Sequence, residues 1–349
     1  MTSAVEQLDI AVLTQYLESQ VDGFKGPIEL EKFAGGQSNP TFKVHASSGT
    51  YVLRRQPPGK LLKSAHAVDR EYKILSALAS TNVPVAKVFH LCEDSDVIGS
   101  MFYLMEYLPG RIFWDSALPE AGSGDKANEQ RRAIHEEIIR VMTKLHSVSV
   151  DAVGLSDYGK PGNYYQRQIE RWSTQYRASE IDKIEPMEHL MAWLQANMPA
   201  DDGLVSIAHG DYRLDNVMFH PEKPEIIAVL DWELSTLGHP YADLAYHCMQ
   251  LRMPPESPAS KGLMGIDRGV LDIPTEQEII DLYCQLTGTE KIENWPFYLA
   301  FCFFRLAAIA QGVAKRATQG NASNKQAVAA GKFVEPLAQM ALQIISEGK

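Results

Sequence analysis

Alternating apolar and polar positions in the first hundred residues predict β-strands. Residues 28–33 alternate in this way, as expected for a strand with one buried face. Further strands are predicted at 41–45, 51–55, 85–92 and 101–105. Residues 8–17 and 64–80 instead carry apolar positions at helical spacing. The pattern therefore predicts a small antiparallel β-sheet accompanied by one helix, with a short helix near the N-terminus.

Beyond the sheet region the apolar spacing changes to that of helices. Residues 129–148 carry a clear apolar stripe. Other helices are predicted at 163–180, 187–197, 296–316 and 325–346. Thr275 and Glu278 fit a capping box, which predicts a helix that begins there and ends at Gly288. Most of the remaining chain is therefore expected to be helical.

Together these patterns predict an α+β protein with two lobes. The first lobe would comprise residues 1–105, with the sheet, and the larger, mainly helical lobe residues 111–349. A chain of 349 residues is long enough for two packed lobes of ordinary size.

Composition and charge narrow the classes of partner. A formal net charge of −11 makes nucleic acid and anionic membrane surfaces poor candidates for binding. The longest apolar run, residues 297–304, is far shorter than a membrane span. The N-terminus lacks the pattern of a signal peptide, and the four cysteines lack metal or redox spacing. We expect a soluble cytoplasmic protein with no nucleic-acid or membrane partner, and a homodimer is left open.

Side chains suited to metal binding and acid–base chemistry are concentrated in residues 206–247. The polar run His-Gly-Asp-Tyr-Arg-Leu-Asp-Asn follows an apolar segment, and a later strand pattern ends abruptly on Asp231. A hairpin between them would bring Asp211, Asn216 and Asp231 to one end. Two carboxylates and a carboxamide offer hard oxygen ligands for Mg²⁺ with a substrate phosphate, and one possible base.

The motifs HGDYRLDN, LDWE and PYADLAY, in this order, resemble those of the aminoglycoside phosphotransferase family, which has a protein-kinase-like fold. The resemblance implies transfer of the γ-phosphoryl group of ATP to a hydroxyl. It implies that Asp211 orients and deprotonates that hydroxyl, while Asn216 and Asp231 hold Mg²⁺ against the phosphates. Asp243 and His209 would stabilise the loop that carries Asp211.

A glycine-containing turn at residues 35–40 separates the first two predicted strands. Such a turn lets backbone N–H groups approach phosphate oxygens closely. In the family that the chain resembles, this turn covers the nucleotide, and Gly36, Ser38 and Asn39 match its G-x-S-N pattern. Gly36, Ser38 and Asn39 are therefore predicted to contact ATP.

The predicted third strand carries arginines where kinases have a phosphate-binding lysine. Arg54 aligns with that lysine, and Glu71 matches the glutamate that pairs with it, although the sequence leaves open whether Arg54 or Arg55 takes the role. An arginine can bind phosphate through two N–H groups. The resemblance also implies that residues 106–110, Glu-Tyr-Leu-Pro-Gly, form the hinge between the lobes, where backbone groups near Glu106 and Leu108 bind the adenine edge. The sequence does not distinguish ATP from GTP as the nucleotide.

The acceptor is predicted to be a small molecule with a hydroxyl. An acidic chain is compatible with cationic aminoglycosides, whereas basic residues after the central motifs would suit an anionic acceptor. These residues are Arg252, Lys261, Arg268, Arg305 and Arg316. The segments YVLRR, HGDYRLDN, LDWELSTLGHPYADLAY and GLMGID resemble the branch of the family that occurs joined to acyl-CoA dehydrogenases. That resemblance implies a hydroxyacyl-CoA or similar acceptor.

Other classes of function stay open at this point. A nucleotide-binding pseudokinase with a regulatory role would explain the Trp-Glu that follows Asp231 and the missing lysine. A protein Ser/Thr kinase is disfavoured because the chain lacks an Ala-Pro-Glu segment. A metal-dependent hydrolase could use His209, Asp211 and Asp215, but it would leave the glycine turn unexplained.

Overall fold

The computed structural model describes residues 8–33, 39–57, 66–257, 261–318 and 329–348. The chain divides into two compact units. The first unit comprises Met1–Ile112, Asp151–Leu155 and Asp215–Ser235, and the second comprises Phe113–Val150, Ser156–Leu214 and Thr236–Lys349. Residues 215–235, which the sequence analysis assigned to the second lobe, thus lie in the first unit.

A five-stranded antiparallel sheet forms the centre of the first unit, in the strand order β1-β2-β3-β5-β4. Its strands are β1 (Ile28–Lys32), β2 (Thr41–Ala46), β3 (Gly49–Arg55), β4 (Val88–Cys92) and β5 (Phe102–Glu106). Each strand overlaps a predicted one. The predicted sheet is therefore confirmed.

One face of this sheet packs on the N-terminal helix. Phe42, Val44 and Leu53 are buried in one apolar cluster with Leu13 and Leu17. Alternation along the strands and helical spacing along the helix supply these two apolar surfaces. The helices of the unit are α1 (Ile10–Gln20), α2 (Val68–Leu78) and the short, unpredicted α3 (Ser95–Ile98).

The hairpin of β7 (Val217–Phe219) and β8 (Ile226–Val229) also belongs to the first unit. Arg111 and Phe219 exchange two backbone hydrogen bonds of 2.8 Å, and the Val229 N–H donates to Pro84 O at 2.9 Å. These bonds explain why the hairpin belongs to the first unit although it lies late in the sequence. The 3-10 turns Leu214–Asn216 and Trp232–Leu234 flank the hairpin.

The second unit is mainly helical, as predicted. Its helices are α4 (Asp125–His146), α5 (Tyr164–Ser179), α6 (Glu185–Ala196), α7 (Tyr241–Leu251), α8 (Arg268–Leu271), α9 (Glu276–Thr287), α10 (Trp295–Thr318) and α11 (Val334–Glu347). Strands β6 (Ser206–Ala208) and β9 (Thr236–Gly238) pair with each other, and 3-10 turns lie at Pro119–Ala121 and Gly331–Phe333. The capping box of Thr275 and Glu278 and the left-handed Gly288 confirm the predicted ends of α9.

Helix α10 is a long and largely apolar helix of the second unit. Its segment Trp295–Ala317 is long and apolar enough to cross a membrane by length and composition alone. However, 72% of its most apolar window is buried inside the protein. It packs against α5, α7 and α11, so this apolar surface serves as the core of the second unit.

Two buried histidines of the second unit predict a loss of stability in acid. Burial lowers the pKa of His135 to about 4 and the pKa of His247 to about 3. An unfolded histidine titrates near pH 6.5, so below that pH the unfolded chain binds protons that the folded chain does not. The free energy of unfolding should therefore be unaffected above pH 6.5 and fall below it. The expected slope is about 1.4 kcal/mol per pH unit for each histidine.

Urea unfolding measured between pH 7.5 and pH 5 tests this expectation. Replacing His247 by leucine should reduce the slope, because within the described chain neither ring nitrogen of His247 has a hydrogen-bond partner to lose. Replacing the exposed His189 by glutamine is the matched control and should leave the slope unchanged. A free energy of unfolding that stays constant over this pH range in the unmodified protein would contradict the prediction.

Candidate active site

Arg54 connects two carboxylates within the first unit. Its Nε lies 2.7 Å from Glu71 Oε2, and its Nη2 lies 2.8 Å from Asp231 Oδ1. Alternation along β3 directs Arg54 and Arg55 to opposite faces of the sheet. Arg55 donates from Nε to Ser100 Oγ at 2.9 Å instead. Of the two arginines, Arg54 is therefore the one that meets the predicted glutamate and aspartate.

Glu71 is held by several donors. The Tyr103 hydroxyl donates to Oε2 and the Asn39 carboxamide to Oε1, both at 3.0 Å. Asn39, which was predicted to contact nucleotide, is fully buried with its side chain on Glu71. Burial raises the pKa of Glu71, and the charge of Arg54 opposes that rise. Burial would lower the pKa of Arg54, but Glu71, Tyr103 and Asp231 outweigh it and raise that pKa above its usual value.

Asp231 occupies a strained turn at the end of β8. Its backbone lies in the left-handed region, with φ 60° and ψ 67°. That conformation is uncommon for residues other than glycine and often occurs at functional sites. Trp232 anchors the turn, because its indole is buried and donates to Val229 O at 3.0 Å. The Asp231 side chain remains 37% exposed, so it can still reach a ligand.

Three carboxylates of the first unit form a candidate cation site. Oxygens of Glu71, Asp231 and Glu233 lie within 4.8 Å of one another. Leu230 N–H donates to Asn216 O at 2.8 Å, which places Asn216 beside the residue that precedes Asp231. Carboxylate and amide oxygens are the donors that Mg²⁺ prefers, so the donor set fits this ion. Sequence reasoning missed Glu233, although a second carboxylate in LDWE was the available signal.

Of the other residues predicted to contact nucleotide, the structure describes Glu106 and Leu108 only. Gly36 and Ser38 lie outside the described residues. Glu106 is the last residue of β5. Its N–H donates to Lys87 O at 2.9 Å, and its carboxylate accepts the Lys87 N–H at 2.8 Å. No hydrogen bond reaches the Leu108 backbone from the part of the chain that is described. The Glu106 N–H is thus already used, whereas Leu108 can still offer backbone groups to a ligand.

Asp243 fixes the loop that carries Asp211 in the second unit. Its carboxylate accepts the N–H groups of His209 at 2.6 Å and Gly210 at 2.8 Å, and it lies 3.3 Å from His146 Nε2. Gly210 has φ 82°, which glycine adopts without steric cost. Burial would raise the pKa of Asp243, but His146, His209 and the Gly210 N–H lower it overall. The predicted stabilising role of Asp243 is confirmed.

Two residues that the sequence analysis did not identify lie near the side chain of Asp211. Arg213 Nε is 3.6 Å from Asp211 Oδ2, and burial and then the charge of Asp211 raise the pKa of Tyr246, which places the Tyr246 hydroxyl near this carboxylate. The Asp211 N–H donates to His209 Nδ1 at 3.2 Å, so His209 supports the backbone as predicted. Arg213 stands in the same motif and could have been found. Tyr246 lies on α7, and no local signal connects it to Asp211.

A family model, described as the phosphotransferase enzyme family (APH), matches residues 29–266, more than half of the chain. This range includes every residue of the two groups just described. The chain belongs to the phosphotransferase enzyme family. It is accordingly a phosphotransferase that transfers a phosphoryl group to a hydroxyl of a small molecule, and the hydrolase considered from the sequence is set aside.

Similar proteins agree with this membership. The mouse protein acyl-CoA dehydrogenase family member 10 is 47% identical over 316 residues, which cover 90% of this phosphotransferase and 29% of the mouse protein. The chain spans less than half the length of the curated relatives that it matches.

Solved structures share the fold. A protein from Ralstonia eutropha, described as similar to aminoglycoside phosphotransferases, is 48% identical with a TM-score of 0.88, and the match covers 97% of this chain and 99% of that one. Aminoglycoside phosphotransferase APH(4)-Ia, in a ternary complex with ADP and hygromycin B, matches at 13% identity and a TM-score of 0.61, over 95% and 98% of the two chains. The second match shows the protein-kinase-like fold alone.

Proposed function

We propose that this phosphotransferase uses ATP and Mg²⁺ to phosphorylate a hydroxyl of a hydroxyacyl-CoA or a similar metabolite. The observation that carries the proposal is the position of Arg54, which bridges Glu71 and Asp231 beside Glu233. Phosphoryl transfer depends on positioning and on neutralising the charge of the phosphates. A fixed cation next to a group of metal-binding carboxylates supplies both requirements.

Arg54 would bind phosphate oxygens of ATP through two N–H groups. Glu71, held by Tyr103 and Asn39, would keep the guanidinium in one orientation. In the structure Arg54 pairs with Asp231. Nucleotide binding would replace this ion pair with a contact between Arg54 and phosphate.

Asp231, Glu233 and Asn216 would hold the metal ion. When bound, Mg²⁺ would neutralise charge on the β- and γ-phosphates. Glu71 is a less suitable ligand, because two donors and Arg54 already occupy its oxygens.

Asp211 would orient the acceptor hydroxyl and accept its proton. The hydroxyl oxygen forms a bond to the γ-phosphorus while the bond from that phosphorus to ADP breaks. A hydrogen bond from Tyr246, whose hydroxyl lies near Asp211, would hold the Asp211 carboxylate in one orientation. Asp243 would keep the loop rigid through its bonds to His209 and Gly210.

The choice of acceptor rests on the relatives. The mouse protein is named as a member of the acyl-CoA dehydrogenase family. A kinase segment within such a protein would most simply act on a hydroxylated acyl-CoA. Aminoglycosides are the alternative acceptor, on the basis of the Ralstonia eutropha structure.

Labelled ATP tests the proposal directly. The full chain is incubated with Mg²⁺, γ-labelled ATP and, separately, hydroxyacyl-CoA thioesters, free hydroxy acids, aminoglycosides and a generic protein substrate. Label should appear on hydroxyacyl-CoA thioesters, and chelation of the metal should abolish the transfer. Label on aminoglycosides alone would overturn the proposed acceptor, and no transfer to any of them would overturn the proposal.

A further inference from the structure

Arg305 is a buried cation near the middle of α10. Arg305 is only 9% exposed, and its Nε has no hydrogen-bond partner in the part of the chain that the structure describes. Among the described residues no carboxylate forms an ion pair with it. Because burying an unpaired charge costs several kcal/mol, a protein rarely keeps one without a use. Arginine cannot avoid this cost by losing its proton, since its pKa is far above neutral.

The other basic residues noted in the sequence already have structural partners or face solvent. Arg252 forms a two-bond pair with Glu276, at 2.6 and 2.7 Å. Lys261 Nζ lies 3.6 Å from an aspartate oxygen, and Arg268 donates to a backbone carbonyl at 3.2 Å. Arg316 is exposed. These four are therefore weaker candidates than Arg305 for binding an acceptor.

Two aromatic rings define the surroundings of Arg305. Its guanidinium carbon lies 5.7 Å from the ring centroid of Trp172 and 5.6 Å from that of Tyr246. Rings at such distances stabilise a guanidinium without using its N–H groups. The same Tyr246 lies near Asp211, because burial and then the charge of Asp211 raise the pKa of its hydroxyl. Arg305 is thus one side chain away from the proposed catalytic base.

We propose that Arg305 binds an anionic group of the acceptor and positions the acceptor hydroxyl at Asp211. A guanidinium offers a carboxylate or a phosphate two parallel N–H donors, which fixes both the position and the orientation of the ligand. The inference rests on the proposed function, because it takes Asp211 as the base. It deepens that function by assigning the acceptor to the anions, which excludes cationic aminoglycosides.

The anion could be a carboxylate or a phosphate of coenzyme A, and three acceptors with the same hydroxyl distinguish them. They are a hydroxyacyl-CoA, the corresponding hydroxyacyl-pantetheine, which has no phosphate, and the free hydroxy acid. The unmodified enzyme should prefer one of the two anionic acceptors over the uncharged pantetheine thioester. If the unmodified enzyme shows equal kcat/KM for the three acceptors, the inference is overturned, independently of the results with variants.

Replacing Arg305 by glutamine should raise KM for the preferred anionic acceptor by roughly 10- to 100-fold, because a charged hydrogen-bonded contact is lost. KM for the pantetheine thioester and for ATP should stay unchanged. Arg305→Lys keeps the charge without the two-donor geometry and should give an intermediate KM. Arg316→Gln removes an exposed charge from the same helix and should change nothing. A rise in KM that is equal for charged and uncharged acceptors would indicate a structural role and overturn the inference.

Equilibrium binding separates this inference from the proposed function. Calorimetric titration of the free hydroxy acid and the hydroxyacyl-CoA into the unmodified protein and Arg305→Gln requires no turnover. Weaker binding to the variant would support Arg305 as the anion site even if no acceptor is phosphorylated. Binding of equal strength, or no binding of either anion to the unmodified protein, would overturn it. Thermal unfolding of each variant checks its fold, and Arg305→Lys replaces Arg305→Gln if the latter is unfolded.

Discussion

Replacing Asp211 by asparagine should lower kcat by about 10³-fold, the range expected when a general base is removed from an otherwise intact site. Asparagine has the same shape but cannot take the proton of the acceptor hydroxyl. The loop should keep its conformation, because Asp243 holds the backbone N–H groups of His209 and Gly210 rather than the Asp211 side chain. Steady-state kinetics with the acceptor found in the screen provide the measurement.

Nucleotide affinity should be nearly unchanged in Asp211→Asn. The proposed phosphate-binding residue, Arg54, and its partner Glu71 form a separate group in the first unit. Asp182→Asn makes the same chemical change at an exposed site and should retain full kcat. If Asp211→Asn keeps full turnover on the true acceptor, Asp211 is not the base. A parallel loss of ATP affinity would show instead that the loop had been disturbed.

The sheet and the central motifs could be predicted because their signals are local. Strand alternation located β1 to β5, and Asp211, Asn216 and Asp231 stood in recognisable motifs. Helical spacing likewise identified the longer helices of the second unit. Hydrophobic periodicity depends on one helix or strand, and a motif depends on a few neighbouring residues. Both can therefore be recognised in the sequence without knowledge of the tertiary contacts.

The partners of these residues could not be predicted in the same way. Tyr246 and Arg305 approach Asp211 from α7 and α10, and only the tertiary fold of the second unit brings them there. The sequence treated Arg305 as one of five similar basic residues. Arg252 has a carboxylate partner, whereas Arg305 has none within the described structure. Only the three-dimensional structure distinguishes the two arginines in this way. The assignment of residues 215–235 to the first unit depends likewise on backbone bonds formed by Arg111 and Pro84.

Replacing Asp231 by asparagine should reduce the affinity for ATP in the presence of Mg²⁺ by roughly 10- to 100-fold, because a charged contact is lost. The set of side chains proposed to hold Mg²⁺ would lose one carboxylate, while Glu233 and Asn216 remain. Isothermal titration of ATP with Mg²⁺, and again with a chelator, gives the two affinities. Asp22→Asn, an exposed change in the same unit, is the matched control.

The two affinities should respond in opposite ways, because Asp231 forms an ion pair with Arg54 at 2.8 Å. Nucleotide must compete with this carboxylate for the guanidinium. Without Asp231, Arg54 keeps its ion pair with Glu71 but has a free side for phosphate, so metal-free ATP should bind Asp231→Asn at least as tightly as the unmodified protein. The increment in affinity that Mg²⁺ normally provides should disappear. Equal losses with and without Mg²⁺ would mean that Asp231 supports the turn around Trp232 and does not bind the metal.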